Sequence, residues 1–320
     1  MKRTLPLVGL ALVLAACGGK SSSPLVGSGA TFPAPLYNAW IYDYGNETGN
    51  KVNYQAVGSG SGVRQYNAGT TDFGASDKSI PDDKIKEPVV QIPMTGGAIV
   101  PAYNNPSCPD LRLSQTQLAD IFLGKITNWN QVNCLSGPIQ VVYRSDGSGT
   151  TAGWTNSLSA FSPEWKEKVG TGKSVAWPVG IGAKGNSGVA GQIQNIEGSI
   201  GYLNYGFVVN NDKIEQASLQ NRDGNYVKAG PETSSAGLSQ IVLDDKLRGA
   251  DPNPAGANSY PIVSLTWILG RPDYDRNDDV KSMLRYMLSP EAQAKSDSLG
   301  YVPLPEGLRQ QSLAAVETLR

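Results

Sequence analysis

Three glycine-rich turns hold the residue types that bind anions. They occupy positions 27–37 (GSGATFPAPLY), 57–64 (VGSGSGVR) and 143–151 (YRSDGSGTT), and each follows or opens a predicted strand or helix. A strand that ends in Gly and Ser and enters a helix leaves backbone N–H groups unpaired, and the helix dipole adds partial positive charge there. These properties favour an oxyanion site. In the first turn, Pro33 suits the start of a helix, and Thr31 is either a helix cap or a hydroxyl donor to a ligand.

Each turn alone has a simpler explanation, because strand–glycine–helix connections are common in α/β proteins that bind nothing there. The turns also lack the P-loop motif of nucleotide-binding proteins, since no Gly-Lys-Ser/Thr follows at the required spacing. A GxGxxG pattern with a partner acid at the right distance is absent from the sequence as well. Three such turns in one chain, one of them with an arginine, favour an anion site.

Arg144 is the predicted fixed cation of this site. Its planar guanidinium can donate to two oxygens at once. Asp146 follows two residues later and can hold the guanidinium in place. The alternative is an exposed Arg–Asp pair, which contributes little to stability.

Asp77 ends another predicted strand, in the segment 72–77 (DFGASD), and would place a carboxylate in the anion site. An ionised carboxylate tolerates an anion only if that anion carries a proton to donate. Phosphate keeps at least one proton near neutral pH and sulfate keeps none, so Asp77 would select against sulfate. An unsatisfied buried polar group costs up to about 3 kcal/mol, which corresponds to roughly a hundredfold in affinity. From spacing alone, a cap or turn role is the simpler interpretation of Asp77.

The composition excludes several kinds of catalysis and predicts one disulfide. The chain contains no histidine, which removes Ser-His-Asp and Cys-His catalysis. Beyond Cys17, the cysteines are Cys108 and Cys134, and an even pair in an oxidising compartment predicts a disulfide bond. A metal site is the weaker alternative, because two thiols without a CxxC spacing or a histidine supply too few ligands. We therefore expect no metal and no cofactor.

The N-terminus predicts export and lipid attachment. Lys2 and Arg3 precede a short apolar run, and the sequence LAAC ends at Cys17, which is typical of a bacterial lipoprotein signal. Residues 1–16 are predicted to be a signal peptide and Cys17 to carry a lipid, with acylation (palmitate or a similar chain) as a second anchor. Residues 17–24 then form the lipidated N-terminus and its tether. The alternative is a plain secreted protein in which Cys17 is accidental.

The net charge argues against polyanionic partners. The formal charge is −1, and removal of Lys2 and Arg3 with the signal peptide changes it by −2, to −3. Nucleic acid and anionic membrane faces are not expected to bind, since both call for a basic patch. An anion would have to bind through local dipoles rather than through the overall field.

The pattern of apolar residues predicts an α/β fold. Short apolar strands alternate with helical patterns, and about 300 mature residues suggest two domains. Strands are predicted at 52–57, 98–103, 139–143, 200–203 and 262–268. Helices are predicted to begin near Pro33, Gly60, Ser114, Thr150, Gly188, Val280 and Glu291.

Long segments of the chain resemble the substrate-binding proteins of phosphate-specific ABC transporters. The similarity covers nearly the whole mature chain, in one order: GATFPAPLY (29–37), ETGNKVNYQAVGSGSGV (47–63), TDFGASD (71–77), LGKITNW (123–129), YRSDGSGTT (143–151) and WPVGIGAKGN (177–186). The resemblance implies a two-lobed periplasmic-binding-protein fold, type II-like, with a central mixed sheet flanked by helices in each lobe and the ligand in the cleft. It implies lobe I at 25–103 plus 262–320 and lobe II at 104–261, with crossovers at 103–104 and 260–261.

The resemblance also implies a set of ligands for inorganic phosphate. The matching positions are Thr31, Phe32, Ser59, Asp77, Arg144, Ser148, Gly149 and Thr150, with Asp146 supporting the arginine. Phe32 is the one residue that the turns themselves do not suggest, and only its backbone N–H is implied. Whether Ser61 reaches the ligand stays open.

The function that the resemblance implies is capture and delivery of phosphate. The lobes close over the anion, and the closed form is recognised by the membrane permease and ATPase subunits of an ABC importer. The protein is expected to be an exported monomer, lipid-anchored to the cell membrane and facing the periplasm or the cell exterior. No covalent chemistry is required.

Three alternatives remain open at the level of sequence. A phosphatase acting on small phosphate esters would need a nucleophile such as Ser148 with Asp or Lys as its base, for example near Asp77. A sensor or surface adhesin would bind phosphate without feeding a transporter. A different oxyanion, such as sulfate, molybdate or phosphonate, would keep the role and change the ligand, although Asp77 disfavours fully deprotonated anions.

Overall fold

The computed structural model describes residues 23–320. The predicted signal peptide at 1–16 and the predicted lipid attachment at Cys17 lie outside the described residues, as does most of the predicted tether at 17–24. Among residues 23–320, no helix combines the length and the apolar composition that crossing a bilayer requires.

The described residues form an α/β structure of twelve strands and ten α-helices, which confirms the predicted class. The strands are β1 (Leu25–Gly29), β2 (Val52–Ala56), β3 (Phe73–Ser76), β4 (Val90–Asn104), β5 (Arg112–Leu113), β6 (Gln140–Arg144), β7 (Ile181–Ala183), β8 (Ser199–Asn204), β9 (Glu215–Gln216), β10 (Ser218–Gln220), β11 (Tyr226–Val227) and β12 (Val263–Gly270). The helices are α1 (Ala34–Thr48), α2 (Ser59–Asn67), α3 (Gln115–Phe122), α4 (Gly149–Phe161), α5 (Pro163–Lys168), α6 (Gly185–Asn195), α7 (Pro231–Leu238), α8 (Asn277–Met287), α9 (Pro290–Gln293) and α10 (Glu306–Glu317).

A mixed sheet runs through the molecule in the order β2-β1-β3-β12-β4-β8-β6-β7, with β9 paired to β4. β4 pairs with β12 from Val90 to Ala98 and with β8 from Ile99 to Asn104. One strand therefore belongs to both halves of the sheet. The half around β1 and the half around β6 are the cores of the two lobes.

Parallel pairing decides where the chain can build a site. β1 pairs in parallel with β2 and β3 in one half, and β6 pairs in parallel with β7 and β8 in the other. The carboxyl ends of parallel strands share one edge of a sheet, which is where α/β folds bind ligands. All three predicted glycine-rich turns leave their strands at these edges.

β4 is much longer than the predicted strand at 98–103. It spans Val90–Asn104 and is buried along almost its whole length. Pro93 and Gly96 interrupt its apolar pattern, so the sequence shows only its second half. The other four predicted strands are confirmed, with ends that differ by a few residues.

The predicted helix starts are confirmed to within a few residues, and α3 shows why such starts can be predicted. The Ser114 hydroxyl accepts from the Gln117 N–H at 3.1 Å, and the Gln117 side chain accepts from the Ser114 N–H at 3.0 Å. This reciprocal capping box satisfies two N–H groups that a helix leaves unpaired. The predicted elements do not include strands β1, β5, β7, β9, β10 and β11 or helices α5, α7 and α10.

Aromatic side chains and a disulfide stabilise the second half of the sheet. The Trp154 ring of α4 stacks on Tyr202 of β8 with centroids 5.0 Å apart, and both side chains are fully buried. Cys108 and Cys134 form the predicted disulfide, with their Cα atoms 5.1 Å apart. The Trp154–Tyr202 contact holds α4, whose N-terminus reaches the cleft, against the sheet.

Candidate functional site

Two helices begin opposite each other in the cleft. α2 begins at Ser59, after β2, and α4 begins at Gly149, after β6. Their first turns touch: the Gly60 N–H donates to the Gly147 carbonyl at 2.7 Å, and the Gly149 N–H donates to the Ser59 hydroxyl at 3.1 Å. The positive ends of two helix dipoles therefore converge where the lobes meet.

Glycine is required where the two main chains approach each other. A Cβ on Gly149 would lie 2.6 Å from the Cβ of Asp77. Gly58 has φ +92°, and a Cβ there would lie 2.2 Å from a carboxylate oxygen of Asp146. Since no real Cβ tolerates such distances, any side chain at these positions would push the lobes apart.

Arg144 and Asp146 form a buried, two-pronged ion pair. The Arg144 side chain donates to both carboxylate oxygens of Asp146, at 2.7 and 2.6 Å, and Arg144 is only 3% exposed. The Asp146 carboxylate also accepts from the Gly185 N–H at 2.9 Å. Burial acts to raise the pKa of Asp146, but hydrogen bonding and attraction by Arg144 hold that pKa below its ordinary value. The exposed pair considered from the sequence is therefore wrong, and the guanidinium is fixed at the end of β6.

Asp77 is a buried carboxyl group between the lobes. It is 4% exposed, and one carboxylate oxygen accepts from the Thr266 hydroxyl of β12 at 2.9 Å. Burial raises the pKa of Asp77 to about 7, against the lowering effects of the Thr266 hydrogen bond and of the Arg144 and Lys173 charges. The group thus changes charge close to neutral pH.

Ser59 joins Asp77 to the helix α4. Its hydroxyl oxygen accepts from the Asp77 N–H at 3.2 Å and from the Gly149 N–H at 3.1 Å, and its proton lies toward an Asp77 carboxylate oxygen at 3.4 Å. Every hydrogen-bonding position of this hydroxyl is occupied within the site. Ser59 therefore belongs to the contact between the lobes.

A pair of threonines from opposite lobes shares one partner, Asn186. Thr31 Oγ1 accepts from the Asn186 N–H at 3.1 Å and from the Asn186 side-chain amide at 2.9 Å. The same amide lies 3.3 Å from Thr150 Oγ1. Thr31 is not a helix cap, because α1 is preceded by Pro33 and receives no side-chain cap. Asn186 lies in the motif 177–186, but no signal in the sequence singled it out.

The remaining predicted positions lie around this centre. Ser148 caps α4 by accepting from the Thr151 N–H at 3.0 Å. The Phe32 ring is fully buried against Tyr301, and within residues 23–320 the Phe32 N–H donates to no other group. The Ser61 hydroxyl accepts a hydrogen bond from the Arg64 guanidinium at 2.8 Å within α2.

Sequence reasoning missed Lys173 and Thr266. Lys173 lies in the loop after α5, and its Nζ is 3.3 Å from the hydroxyl of Ser76 in the other lobe. Burial lowers the pKa of Lys173 to about 8. Neither residue lies in the three turns at 27–37, 57–64 and 143–151, and only the folded chain brings them to Asp77.

The arrangement suits a small oxyanion that carries a proton. It combines helix N-termini, a fixed guanidinium and threonine hydroxyls as donors with one carboxylate as acceptor. Residues 23–320 contain no group of three or more His, Cys, Asp or Glu side chains that could hold a metal ion.

Residues 15–291 match the family model described as a PBP superfamily domain. Curated relatives include the phosphate-binding protein PstS of Pasteurella multocida, 40% identical over 310 residues, with 92% of this chain and 90% of the relative covered. The phosphate-binding protein PstS of Methanocaldococcus jannaschii is 32% identical over 383 residues and covers 100% of this chain and 97% of its own length.

Solved structures share the fold at lower identity. A high affinity periplasmic phosphate-binding protein (PfluDING) bound with phosphate has a TM-score of 0.76 and 20% identity, with 91% of this chain and 93% of the other covered. A putative phosphate ABC transporter substrate-binding protein with bound phosphate from Clostridium perfringens has a TM-score of 0.69 and 20% identity, with 88% and 100% covered. With the full-length similarity to curated relatives, these matches place the chain in the PBP superfamily, as a member of the PstS family of phosphate-binding proteins.

Proposed function

We propose that this protein binds inorganic phosphate in the cleft between its lobes and delivers it to an ABC-type importer. The observation that carries the proposal is Asp77, a buried carboxyl group set among donors for an anion. A carboxylate there is useful only if the ligand brings a proton of its own, as phosphate does. The relatives carry the name phosphate-binding protein PstS.

The proposed contacts follow from the donors in the cleft. The N–H groups of Phe32 and Thr150, the hydroxyls of Thr31, Ser148 and Thr150, and the Arg144 guanidinium donate to phosphate oxygens. The Ser59 hydroxyl and the Gly149 N–H are the other proposed donors, and they would exchange their bonds to Asp77 and to each other for bonds to phosphate. Hydrogen bonds to a charged group contribute about 1.5–3 kcal/mol each, offset in part by the cost of desolvating the anion and ordering the lobes. The Asp77 carboxylate accepts a hydrogen bond from the protonated phosphate oxygen, and Asp146 holds the Arg144 guanidinium in place.

Capture occurs by closure of lobe I (25–103 and 262–320) over lobe II (104–261). Support comes from main-chain contacts between α2 and α4, which can form only when the lobes meet. β4 connects the halves and changes partner between Ala98 and Ile99, close to where the domain boundary is expected. Domain closure of this kind turns on a few residues at the crossover strands.

Export and a lipid anchor at Cys17 complete the proposed role. A lipid on the N-terminus would keep a monomeric binding protein at the membrane surface, within reach of the permease and ATPase subunits. Residues 17–24 precede the first strand and would serve as the tether. The support for this part is the N-terminal sequence pattern.

We infer no covalent step. The Ser148 hydroxyl oxygen is the cap of α4, and no hydrogen bond within residues 23–320 joins it to a carboxylate or an amine that could act as a base. A nucleophilic serine needs such a base within about 3 Å. The site is therefore best described as a binding site.

The test is calorimetric titration of the purified protein, stripped of bound anion, with phosphate and then with sulfate at pH 8. We expect tight binding of one phosphate and no heat from sulfate. Binding of neither anion would overturn the proposal, and equal binding of both would overturn the role of Asp77. Delivery is tested by uptake of radiolabelled phosphate in cells that lack this chain, with and without its restoration.

A further inference from the structure

Lys173 is held in place by the helix that forms one wall of the cleft. Its carbonyl accepts from the Ser148 N–H at 2.9 Å, directly before α4. The preceding Gly172 donates its N–H to the Thr155 hydroxyl of α4 at 3.1 Å. Because the main chain is fixed on both sides, the lysine side chain starts from a defined position at the mouth of the site.

The side chain of Lys173 reaches across the cleft to the opposite lobe. Its Nζ lies 3.3 Å from the hydroxyl of Ser76, which is fully buried at the end of β3. Ser76 immediately precedes Asp77. The ammonium of one lobe therefore lies beside the buried carboxylate of the other.

Lys173 differs from Arg144, the other cation that faces Asp77. Arg144 is bound to Asp146 by two hydrogen bonds, which offset its charge. Lys173 takes part in no ion pair within residues 23–320 with N to O distances of 4.0 Å or less. Its positive charge is available to the cleft without compensation.

We infer that Lys173 is a specificity-determining residue, whose ammonium keeps Asp77 ionised so that the cleft rejects anions without a proton. This inference rests on the proposed phosphate-binding function. A protonated Asp77 would donate a hydrogen bond and would accept sulfate as readily as phosphate. The charge state of Asp77, and not its position alone, therefore decides the selectivity.

The surroundings of Asp77 make its charge state sensitive to one cation. Burial raises its pKa to about 7 even though the Thr266 hydrogen bond and two charged groups, Arg144 and Lys173, act to lower it. The groups that face Asp77 are the cations Arg144 and Lys173, the phenols Tyr37, Tyr54 and Tyr301, and the hydroxyls Thr266 and Ser59. Lys173 itself faces Asp77 and the like charge of Lys78. Loss of the ammonium leaves Arg144 as the one opposing cation in this set.

The experiment measures sulfate competition against phosphate from pH 5.5 to 9 in the stripped protein and in Lys173→Met. Methionine keeps the length and packing of the side chain and removes its charge. We expect the pH below which sulfate competes to move upward by about one unit, since Lys173 acts to lower the pKa of Asp77 and a nearby opposite charge shifts a carboxyl pKa by about 1–3 units. The titration of phosphate itself is the same for every variant, so differences between variants report the protein.

Two further variants separate charge from structure. Lys173→Arg keeps a cation and should retain the profile of the unmodified protein. Lys78→Met removes an exposed like charge that Lys173 faces, which favours the Lys173 ammonium, and it should not move the profile upward. Thermal midpoints of all variants check that the fold is retained.

The outcomes distinguish the two proposals. An unmodified protein that binds no phosphate overturns the proposed function. Phosphate binding by all variants, with a Lys173→Met profile that matches Lys78→Met, overturns the inference alone. An upward shift in Lys173→Met that Lys173→Arg does not share supports it.

Discussion

Asn186 donates two hydrogen bonds to a single atom, Oγ1 of Thr31, from its backbone N–H at 3.1 Å and from its side-chain amide at 2.9 Å. A hydroxyl oxygen has two lone pairs and one proton. With both lone pairs occupied, the Thr31 hydroxyl has only its proton left to offer. Asn186 thus makes a donor of Thr31, and it also holds the two lobes together at that point.

Replacement of Asn186 by alanine should weaken phosphate binding by roughly tenfold to a hundredfold. The change frees the Thr31 hydroxyl to rotate and removes a contact between the lobes, each of which is a loss of about 1–1.5 kcal/mol. Calorimetric titration measures the affinity. Asn225→Ala, whose amide bonds the Ala257 carbonyl on an exposed loop, is the matched control. Equal affinities for the two variants would contradict the assigned role of Asn186.

Gly149→Ala should abolish tight phosphate binding while the ligand-free protein stays folded. The added Cβ would lie 2.6 Å from the Cβ of Asp77 in the opposite lobe, so the cleft cannot close. We expect at least a hundredfold loss of affinity, measured by titration. Phosphate should also fail to reduce the radius of gyration in small-angle X-ray scattering.

The control for this prediction is Gly191→Ala. A Cβ on Gly191, within α6, meets no atom within 4 Å. Alanine in a helix interior is favoured over glycine by about 1 kcal/mol, so this variant should bind phosphate normally and be slightly more stable. If Gly149→Ala closed normally on phosphate, the close contact at Gly149 would not control closure of the cleft.

Asp77→Asn should reduce the pH dependence of stability in the anion-free protein. Burial raises the pKa of Asp77 to about 7, so stability from this group is full below about pH 4 and is lost as the pH rises through 7. Between pH 5 and pH 8 the loss is on the order of 3 kcal/mol, and asparagine should avoid it. Denaturant unfolding at the two pH values measures the difference. Asp245→Asn, at an exposed position, should behave like the unmodified protein.

Removal of the disulfide should lower stability without changing phosphate affinity. Cys108 and Cys134 are 26 residues apart in the chain, and closing such a loop stabilises a fold by about 3 kcal/mol in the chain-entropy description. We expect the double serine variant to unfold at lower denaturant concentration. A large change in phosphate affinity would show that the disulfide also positions the cleft.

The part of the site that could be predicted is formed by residues close together in the sequence. Arg144, Asp146 and Ser148 lie within five residues of one another, and the glycines around them mark the start of a helix. The sequence suggested both the cation and the acid that holds it. The burial that gives this pair its significance comes from the packing of the lobes and leaves no local signal.

Residues brought in from distant segments could not be predicted. Lys173 looks like any surface lysine in a polar loop, and Thr266 looks like a residue of a buried strand. Asn186 lies at the start of α6, where an asparagine is common and suggests no further role. Each acquires its role through a contact with a residue more than 90 positions away, at Ser76, Asp77 and Thr31.

The long central strand shows a different limit. β4 was predicted only at 98–103, because proline and glycine in its first half are rare in strands of ordinary sheets. The first half is nevertheless buried between β12 and the helices that cover it. β4 pairs with strands of both lobes and is buried at nearly every position. Its residues therefore do not alternate between apolar and polar, which is the pattern by which a half-exposed strand is predicted.

The contact between Gly60 and Gly147 sets an upper limit on the size of the cargo. Their main chains meet through an N–H to carbonyl bond of 2.7 Å, with no side chain between them. A phosphate ester whose organic group reaches this contact would act as a wedge that holds the lobes open. We therefore expect the lobes to meet fully around the free anion and not around such an ester.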